Sequence, residues 1–574
     1  MLIHLVTLAG WLTLSIAGSP IWPEPNAYES HGDVLWIPFP LRTAFSCGLS
    51  NASNNDFFYE RSRGSLSHLL GGWQSWFGFA SDVDEDQLGA SVSEADAVKA
   101  AVGRTLQDIS TSKFIPWKFH SRHDAFEPAE NQNASMLTSL YIYQSTCPSS
   151  SFDAAAFFDG DESYEIDVTE GVARINAVSS IGIINALGTF KQLVLSHSSG
   201  VHKTYMTRSS IKIKDNPRWR YRGISLDIAR NPFKSWPIDI PSLPELALKG
   251  AYRPDLVWST EDIARIQQYG ISRNVQVFLE LDMPGHTASI AHAYPDLIAA
   301  FNQLDWDTFA AEPLSGQFKL NSTKVHDFLD TLFEDLLPRL SKYSSIYHLG
   351  GDEVNRMVHL LDETVQSANF DTLQPLIQSL MQRIYTKAIE NNLRPIIWEE
   401  MFLEWNLTLV NPHPSHHHIK PLVQAWRSSA NIASLLKANH SVIFGDSEHW
   451  YLDCGHGVFL SPYPSGHSPP GIPYNTSGGL PTKLSPPYLD YCGPYHNWRA
   501  IYTFNPLANI SEELWGGIEG GETLMWSELT DSVDLDAKLW PRAAAAAEVL
   551  WRGPRSESML AAPRGGWRCG ENER

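Results

Sequence analysis

From Trp219 onward, short apolar runs alternate with helical stretches, and this alternation constrains the fold more than any other feature of the chain. Apolar runs of strand length occur at 223–228, 275–281, 346–349, 395–398, 422–425, 442–444 and 523–526. Helical patterns lie between them, such as 259–269, where Ser259 or Thr260 can cap the first turn, and 324–340. Strands separated by helices pair in parallel, and a series of such units predicts an α/β fold, a TIM-type (β/α)8 barrel. Seven readable strands leave that barrel one short. The shortfall maps to one place. After Arg230 the chain reads NPFKSWPIDIPSLPELALKG, with no room for an ordinary helix and no second apolar strand before the prolines begin. A βα unit takes roughly 30 residues in barrels of ordinary size. The barrel expected over 211–574 is therefore incomplete near Phe233 and Lys234, and an open wall leaves two strand edges with unpaired backbone groups.

The preceding residues, 20–210, mix short β-rich runs with an Ala-rich helix and predict a smaller α+β domain. Residues 164–175 alternate in strand fashion, and 182–196 carry a helical spacing through Ile183, Ala186, Phe190 and Leu193. Asp159, Asp161 and Glu162 are expected in a solvated turn. Residues 1–19 read as a signal peptide: 5–17 are apolar but too few to span a bilayer, with small residues at Ala17 and Ser19 before Pro20. N-glycosylation sequons at Asn51, Asn133, Asn321, Asn406, Asn439, Asn475 and Asn509 agree with a secreted glycoprotein. A net charge of −21 argues against nucleic acid or an anionic membrane as partner, because both would repel the chain.

Five cysteines are too few for a disulfide scaffold, and an odd number leaves one over. Cys454 and Cys492 bracket a loop rich in Pro, Gly and Ser that a disulfide could order, whereas Cys47, Cys147 and Cys569 show no obvious partners. No cysteine pair has metal-ligand spacing. His413 and His416 to His418 lie among prolines and read as a solvated loop, so no metal is expected.

Residues 348–354 read HLGGDEV, a strand running through a glycine pair into two adjacent carboxylates, Asp352 and Glu353. Carboxylates at the C-terminal end of a barrel strand suit glycoside cleavage, in which one protonates the leaving oxygen and another charge stabilises a cation-like sugar. Neighbouring residues on extended chain point apart, however, and an ordinary retaining pair faces across the bond about 5 Å apart. A substrate-assisted route fits adjacency better.

HLGGDEV resembles the signature of the family 20 glycoside hydrolases, the β-N-acetylhexosaminidases, and most closely their secreted fungal members. Further segments resemble the same family in the same order: RGISLDIAR at 222–230, ELDMPGH at 280–286, IWEE at 397–400, QAW at 424–426, WYLDCG at 450–455 and GGETLMWSE at 520–528. The resemblance implies an exo-acting hydrolase that removes terminal β-linked N-acetylhexosamine with retention, using no metal or cofactor. It implies Glu353 as general acid, with a pKa raised toward the working pH, and Asp352 as the group holding the acetamido N–H. Tyr451 would bond the acetamido carbonyl. Arg222, Asp453 and Glu528 would clamp sugar hydroxyls, Trp398, Trp426 and Trp526 would wall the pocket, and His286 after Asp282 would tune Glu353. It also implies a Cys454–Cys492 disulfide and association into a homodimer through the barrel. In the family, a histidine-containing second strand ending in SWP follows Arg230, and here only Ser235, Trp236 and Pro237 remain of it. Residues 565–574 likewise depart from the expected last helix. The departures leave a second expectation open: a defective secreted relative that at most binds such sugars.

Overall fold

The computed structural model describes residues 21–554 apart from 49–56, 60–91, 112–113, 116–125, 130–134, 201–202, 231–233, 305, 414–418 and 458–491. The signal peptide, three sequons (Asn51, Asn133 and Asn475), His416 to His418, Phe233, Cys569 and the divergent 565–574 lie outside the described residues.

The first domain is built on a seven-stranded sheet. Its strands are Ala27–His31 (β1), Arg42–Cys47 (β2), Phe57–Tyr59 (β3), Ser139–Gln144 (β4), Tyr164–Thr169 (β5), Val172–Ala177 (β6) and Ser210–Asp215 (β7), in the order β1-β7-β5-β6-β4-β2-β3. The alternation read in 164–175 is the β5–β6 hairpin, turned at Glu170 (φ 53°) and Gly171 (φ 75°), both in the left-handed region that such turns require. Tyr164, Ile166, Val168, Ala173 and Ile175 point inward. They meet the helices Glu94–Thr111 (α1) and Ser180–Gln192 (α2), whose apolar faces complete one core. Ser210–Asp215 (β7) lies inside this sheet, between β1 and β5. Cys47 and Cys147 form a disulfide at the ends of β2 and β4, a pairing that sequence spacing did not suggest.

The second domain carries six parallel strands: Tyr221–Leu226 (β8), Ile346–His348 (β9), Arg394–Trp398 (β10), Leu422–Ala425 (β11), Ser441–Phe444 (β12) and Ile518–Met525 (β13). They pair in the order β8-β13-β12-β11-β10-β9. Helices Thr260–Ile271 (α3), Thr323–Leu340 (α4), Phe370–Glu390 (α5), Ser429–Lys437 (α6) and Arg542–Arg552 (α7) pack outside, α3 beginning with a Ser259–Asp262 capping box. Among the described residues no helix is long and apolar enough to cross a membrane.

The predicted strand at 275–281 does not form a regular ladder. It touches β9 through a single bridge, Glu280 to His348, with Leu281 N–H donating to His348 O at 3.4 Å and His348 N–H to Leu279 O at 3.1 Å. Its other side, and the free edge of β8, face a cavity of about 1390 Å3 lined by 220–230 and 274–282. Whereas all of β11 is buried, no residue of β8 is. Ile224, Leu226, Ile228 and Val275 are each about half exposed. The opening thus lies where the sequence is one βα unit short: among the described residues, two apolar edges stand apart across the cavity.

The domains meet through groups the sequence reading placed elsewhere. Glu162 is not solvated; its carboxylate accepts from Arg222 at 2.8 Å in a half-buried pair, while the exposed Asp159 pairs with Arg220. Trp551 on α7 donates its indole N–H to Asp215 at 3.0 Å, and Arg552 reaches Pro25 O.

Candidate active site

The C-terminal ends of the parallel strands converge on His286. Its Nε2 lies 3.2 Å from Glu353 Oε2, 3.6 Å from Asp352 Oδ2 and 3.8 Å from Asp282 Oδ2, and its Nδ1 lies 3.8 Å from Glu312 Oε1. The backbone is contorted to achieve this. His286 (φ 32°) and Glu353 (φ 49°) adopt positive φ, a strain of roughly 1 kcal/mol or more each. Gly350 (φ 72°) lets β9 turn beneath Asp282, where a Cβ would collide with that carboxylate. Gly351 N–H then donates to Asp282 Oδ1 at 2.7 Å. Burial, then Asp282, Glu353 and Glu400, push the Asp352 carboxyl well above the usual carboxylate range. Asp352 and Glu353 thus both approach one imidazole nitrogen.

Beside this cluster is an aromatic one. Trp398 and Tyr451 are buried together with the Cys454–Cys492 disulfide, and Trp426 and Trp526 pack against them. Trp426 lies nearly parallel to Tyr451 with ring centres 6.1 Å apart, and Trp526 lies edge-on to Tyr451 and 6.4 Å from Trp398. Asp453 accepts from Trp526 N–H at 3.3 Å. Two of the tryptophans hang from glutamates, the half-buried Glu280 and the buried Glu400. Trp398 Nε1 donates to Glu280 at 2.8 Å, and Trp426 Nε1 donates to Glu400 at 2.9 Å. Burial and the nearby Asp282 raise the Glu280 carboxyl to about 8. Burial and Glu400 raise Glu399 to about 8. Burial lifts Glu400 to about 7 although Arg427, 2.7 Å away, opposes it.

Of the residues expected from sequence, Asp282, His286, Asp352, Glu353, Trp398, Trp426, Tyr451, Asp453, Trp526 and Glu528 come together at this end of the barrel. Arg222 does not. Its guanidinium donates to Trp219 O at 2.6 Å and to Glu162, and it lies over the Trp551 ring at the opposite, domain-facing end of β8. The arginine at the pocket end is Arg230, 4.4 Å over the Trp526 ring, with Nε 3.0 Å from Glu312 and Nη1 3.4 Å from Glu528. Its charge, with that of Lys234, overcomes burial and holds Glu312 below the usual range, while burial and Glu312 push Glu528 up. The eight-residue separation of Arg222 and Arg230 was the available signal, since chemistry in such barrels sits at strand C-termini. Glu280 was legible too, two residues before Asp282 and therefore on the same face.

Comparison with known proteins decides the family. The family described as Glycosyl hydrolase family 20, catalytic domain, matches 233–554, and the description beta-acetyl hexosaminidase like matches 21–193. A beta-hexosaminidase of Arthroderma benhamiae is 39% identical over 573 residues, covering 94% of this chain and 91% of its own.

The chain belongs to glycosyl hydrolase family 20.

It is therefore a glycosidase by family, with the barrel and preceding domain expected from sequence. A chitooligosaccharidolytic beta-N-acetylglucosaminidase of Bombyx mori is 27% identical, covering 69% of this chain and 68% of its own. Among solved structures, the exo beta-N-acetylglucosaminidase of Vibrio harveyi in complex with N-acetylglucosamine superimposes with a TM-score of 0.62 at 17% identity. That match covers 95% of this chain and 75% of the other, a likeness of fold.

Proposed function

We propose that this glycosidase is an exo-acting β-N-acetylhexosaminidase working by the retaining, substrate-assisted route. The observation that carries the reading is that an aromatic box (Trp398, Trp426, Trp526, Tyr451) and the cluster of Asp352, Glu353 and His286 lie at the same end of the parallel strands. Flat apolar walls suit the C–H face of a pyranose and an acetamido methyl. Two carboxyls on one side of the pocket suit a reaction whose nucleophile comes from the substrate.

In this mechanism the acetamido carbonyl oxygen attacks the anomeric carbon as the glycosidic C–O bond breaks. Glu353 gives its proton to the departing oxygen. Asp352 accepts the hydrogen bond of the acetamido N–H and offsets the positive charge of the oxazolinium ring, and Tyr451 donates to the carbonyl oxygen. Water, losing a proton to the Glu353 carboxylate, then opens the ring at the anomeric carbon with net retention. Arg230, Asp453 and Glu528 are the candidates for sugar hydroxyls, a guanidinium fork and carboxylates being matched to vicinal OH groups.

The sequons at Asn321, Asn406, Asn439 and Asn509 are all exposed, which supports passage through the secretory route. Dimerisation through the barrel belongs to the same reading and is checked by sedimentation. The deciding experiment compares 4-nitrophenyl N-acetyl-β-glucosaminide with the corresponding β-glucoside. Hydrolysis of the first alone is expected, and equal turnover of both would overturn the mechanism.

A further inference from the structure

His286 is nine-tenths buried, and neither ring nitrogen has a hydrogen-bond partner. Asp282 Oδ2 and Asp352 Oδ1 are buried and make no hydrogen bond of ordinary geometry, the two carboxyls facing each other. Polar atoms withdrawn from water in this way are unfavourable unless something binds them. The geometry points to what does. One ligand atom each from Asp282, His286 and Asp352 fall within 4.8 Å of one another, and the His286 Nε2 separations from the two carboxylates are 3.6 and 3.8 Å. Ligands held tetrahedrally about 2.0–2.2 Å from a zinc ion stand ~3.4 Å apart, so small side-chain adjustments bring all three into a coordination sphere. Asp282 is already oriented for it, since Gly351 N–H holds Oδ1 and leaves Oδ2 turned toward the imidazole.

We propose that Asp282, His286 and Asp352 form a binding site for a divalent transition-metal ion of the zinc type, whose occupation closes the sugar pocket. The ion is no cofactor of the hydrolysis: it takes Asp352, the group that must face the acetamido N–H, and it takes the imidazole nitrogen 3.2 Å from Glu353. A catalytic carboxylate cluster with one buried imidazole nitrogen is thereby an inhibitory metal trap. The mixed nitrogen and oxygen donors favour zinc or copper over magnesium, which keeps oxygen ligands and several waters.

The test reads metal, not hydrolysis, so its outcome is independent of the glycosidase reading. The full chain is loaded with zinc chloride, dialysed, and its zinc content measured for wild type, His286→Gln and Asp282→Asn, each checked for folding by circular dichroism. A parallel set carries His416→Ala, His417→Ala and His418→Ala, to remove zinc held by that loop. Each pocket variant should hold one zinc fewer per chain than its parent in both sets, and magnesium should not compete. Equal zinc in parent and pocket variants would overturn the proposal. Anomalous scattering at the zinc edge from a soaked wild-type crystal gives a reading free of variants. A peak among the three side chains is expected, and a pocket without one defeats the inference.

Discussion

Asp352 and Glu400 carry the sharpest expectations at the level of single side chains. Replacing Asp352 by Asn keeps its shape and removes the carboxyl that accepts the acetamido N–H and stabilises the oxazolinium ring, so kcat should fall about 100-fold or more while KM changes little. Unchanged turnover would remove Asp352 from the chemistry. Glu400 acts through the Trp426 indole that it holds, so it is a positioning residue. In Glu400→Ala the ring loses its anchor, and KM for N-acetyl substrates should rise about tenfold with a smaller change in kcat, as loss of one hydrogen bond to a charged group allows. Glu400→Gln, whose amide oxygen still accepts from the indole, should recover part of the loss. A variant pair with indistinguishable KM values would count against the role. Glu280, Glu399 and Glu400 also set how stability follows pH. Their folded pKa values of about 8, 8 and 7 lie above the ordinary 4.5, so between those limits the folded state binds more protons than the unfolded one. Stability from these groups is full below the unfolded value and declines as pH rises through the folded ones. Melting temperature should fall from mildly acid to mildly alkaline pH, and Glu399→Gln should flatten that slope.

At the level of elements, what the sequence made legible follows from how each element is stabilised. Strands β9 to β12 announce themselves as apolar runs because both faces are covered, whereas only the end of β13 (IEGGETLM) does, and α3 announces its start because Ser259 and Asp262 cap each other. The run at 275–281 has the same composition yet forms no ladder, because pairing is a property of two neighbours and one neighbour is missing. Likewise, Cys47 and Cys147 lie 100 residues apart and become neighbours only through the parallel pairing of β2 with β4, which no spacing rule encodes. Arg222 and Arg230 were both visible, but only the strand's direction tells which end meets substrate. The disulfide Cys454–Cys492 closes a loop of 38 residues beside Tyr451. Converting both cysteines to serine should therefore remove about 4 kcal/mol of stability through loop entropy. It should also raise KM, since Tyr451 and Trp526 lean on the bridge. A lowered melting temperature with native KM would assign the disulfide to stability alone.

The whole molecule turns on the gap in its barrel. Six strands pair in sequence, the segment at 275–281 clings to one edge, and β8 lies exposed at the other, with the cavity between them running into the pocket past Arg230, Asp282 and His286. Catalytic groups on both sides of an open wall are held by fewer neighbours than a closed barrel supplies, and a displacement of about 1 Å in such a site is enough to cost most of its rate. We expect the chain as it stands to bind a hydrophobic dye such as ANS at the edges marked by Ile224, Leu226, Ile228 and Val275, and to hydrolyse N-acetylhexosaminides feebly. Inserting one apolar strand and its helix, roughly 30 residues, between Arg230 and Ser235 should abolish dye binding, raise the melting temperature and restore turnover. Sequencing the expressed transcript across Arg230 to Pro237 asks the same question of the organism. A segment of that size found there identifies the working enzyme as the closed barrel and this chain as its shortened reading. An unbroken transcript, together with an insertion variant no more active than its parent, means that the cell makes an open barrel with an intact sugar pocket and little hydrolysis, the sugar-binding relative left open by the sequence.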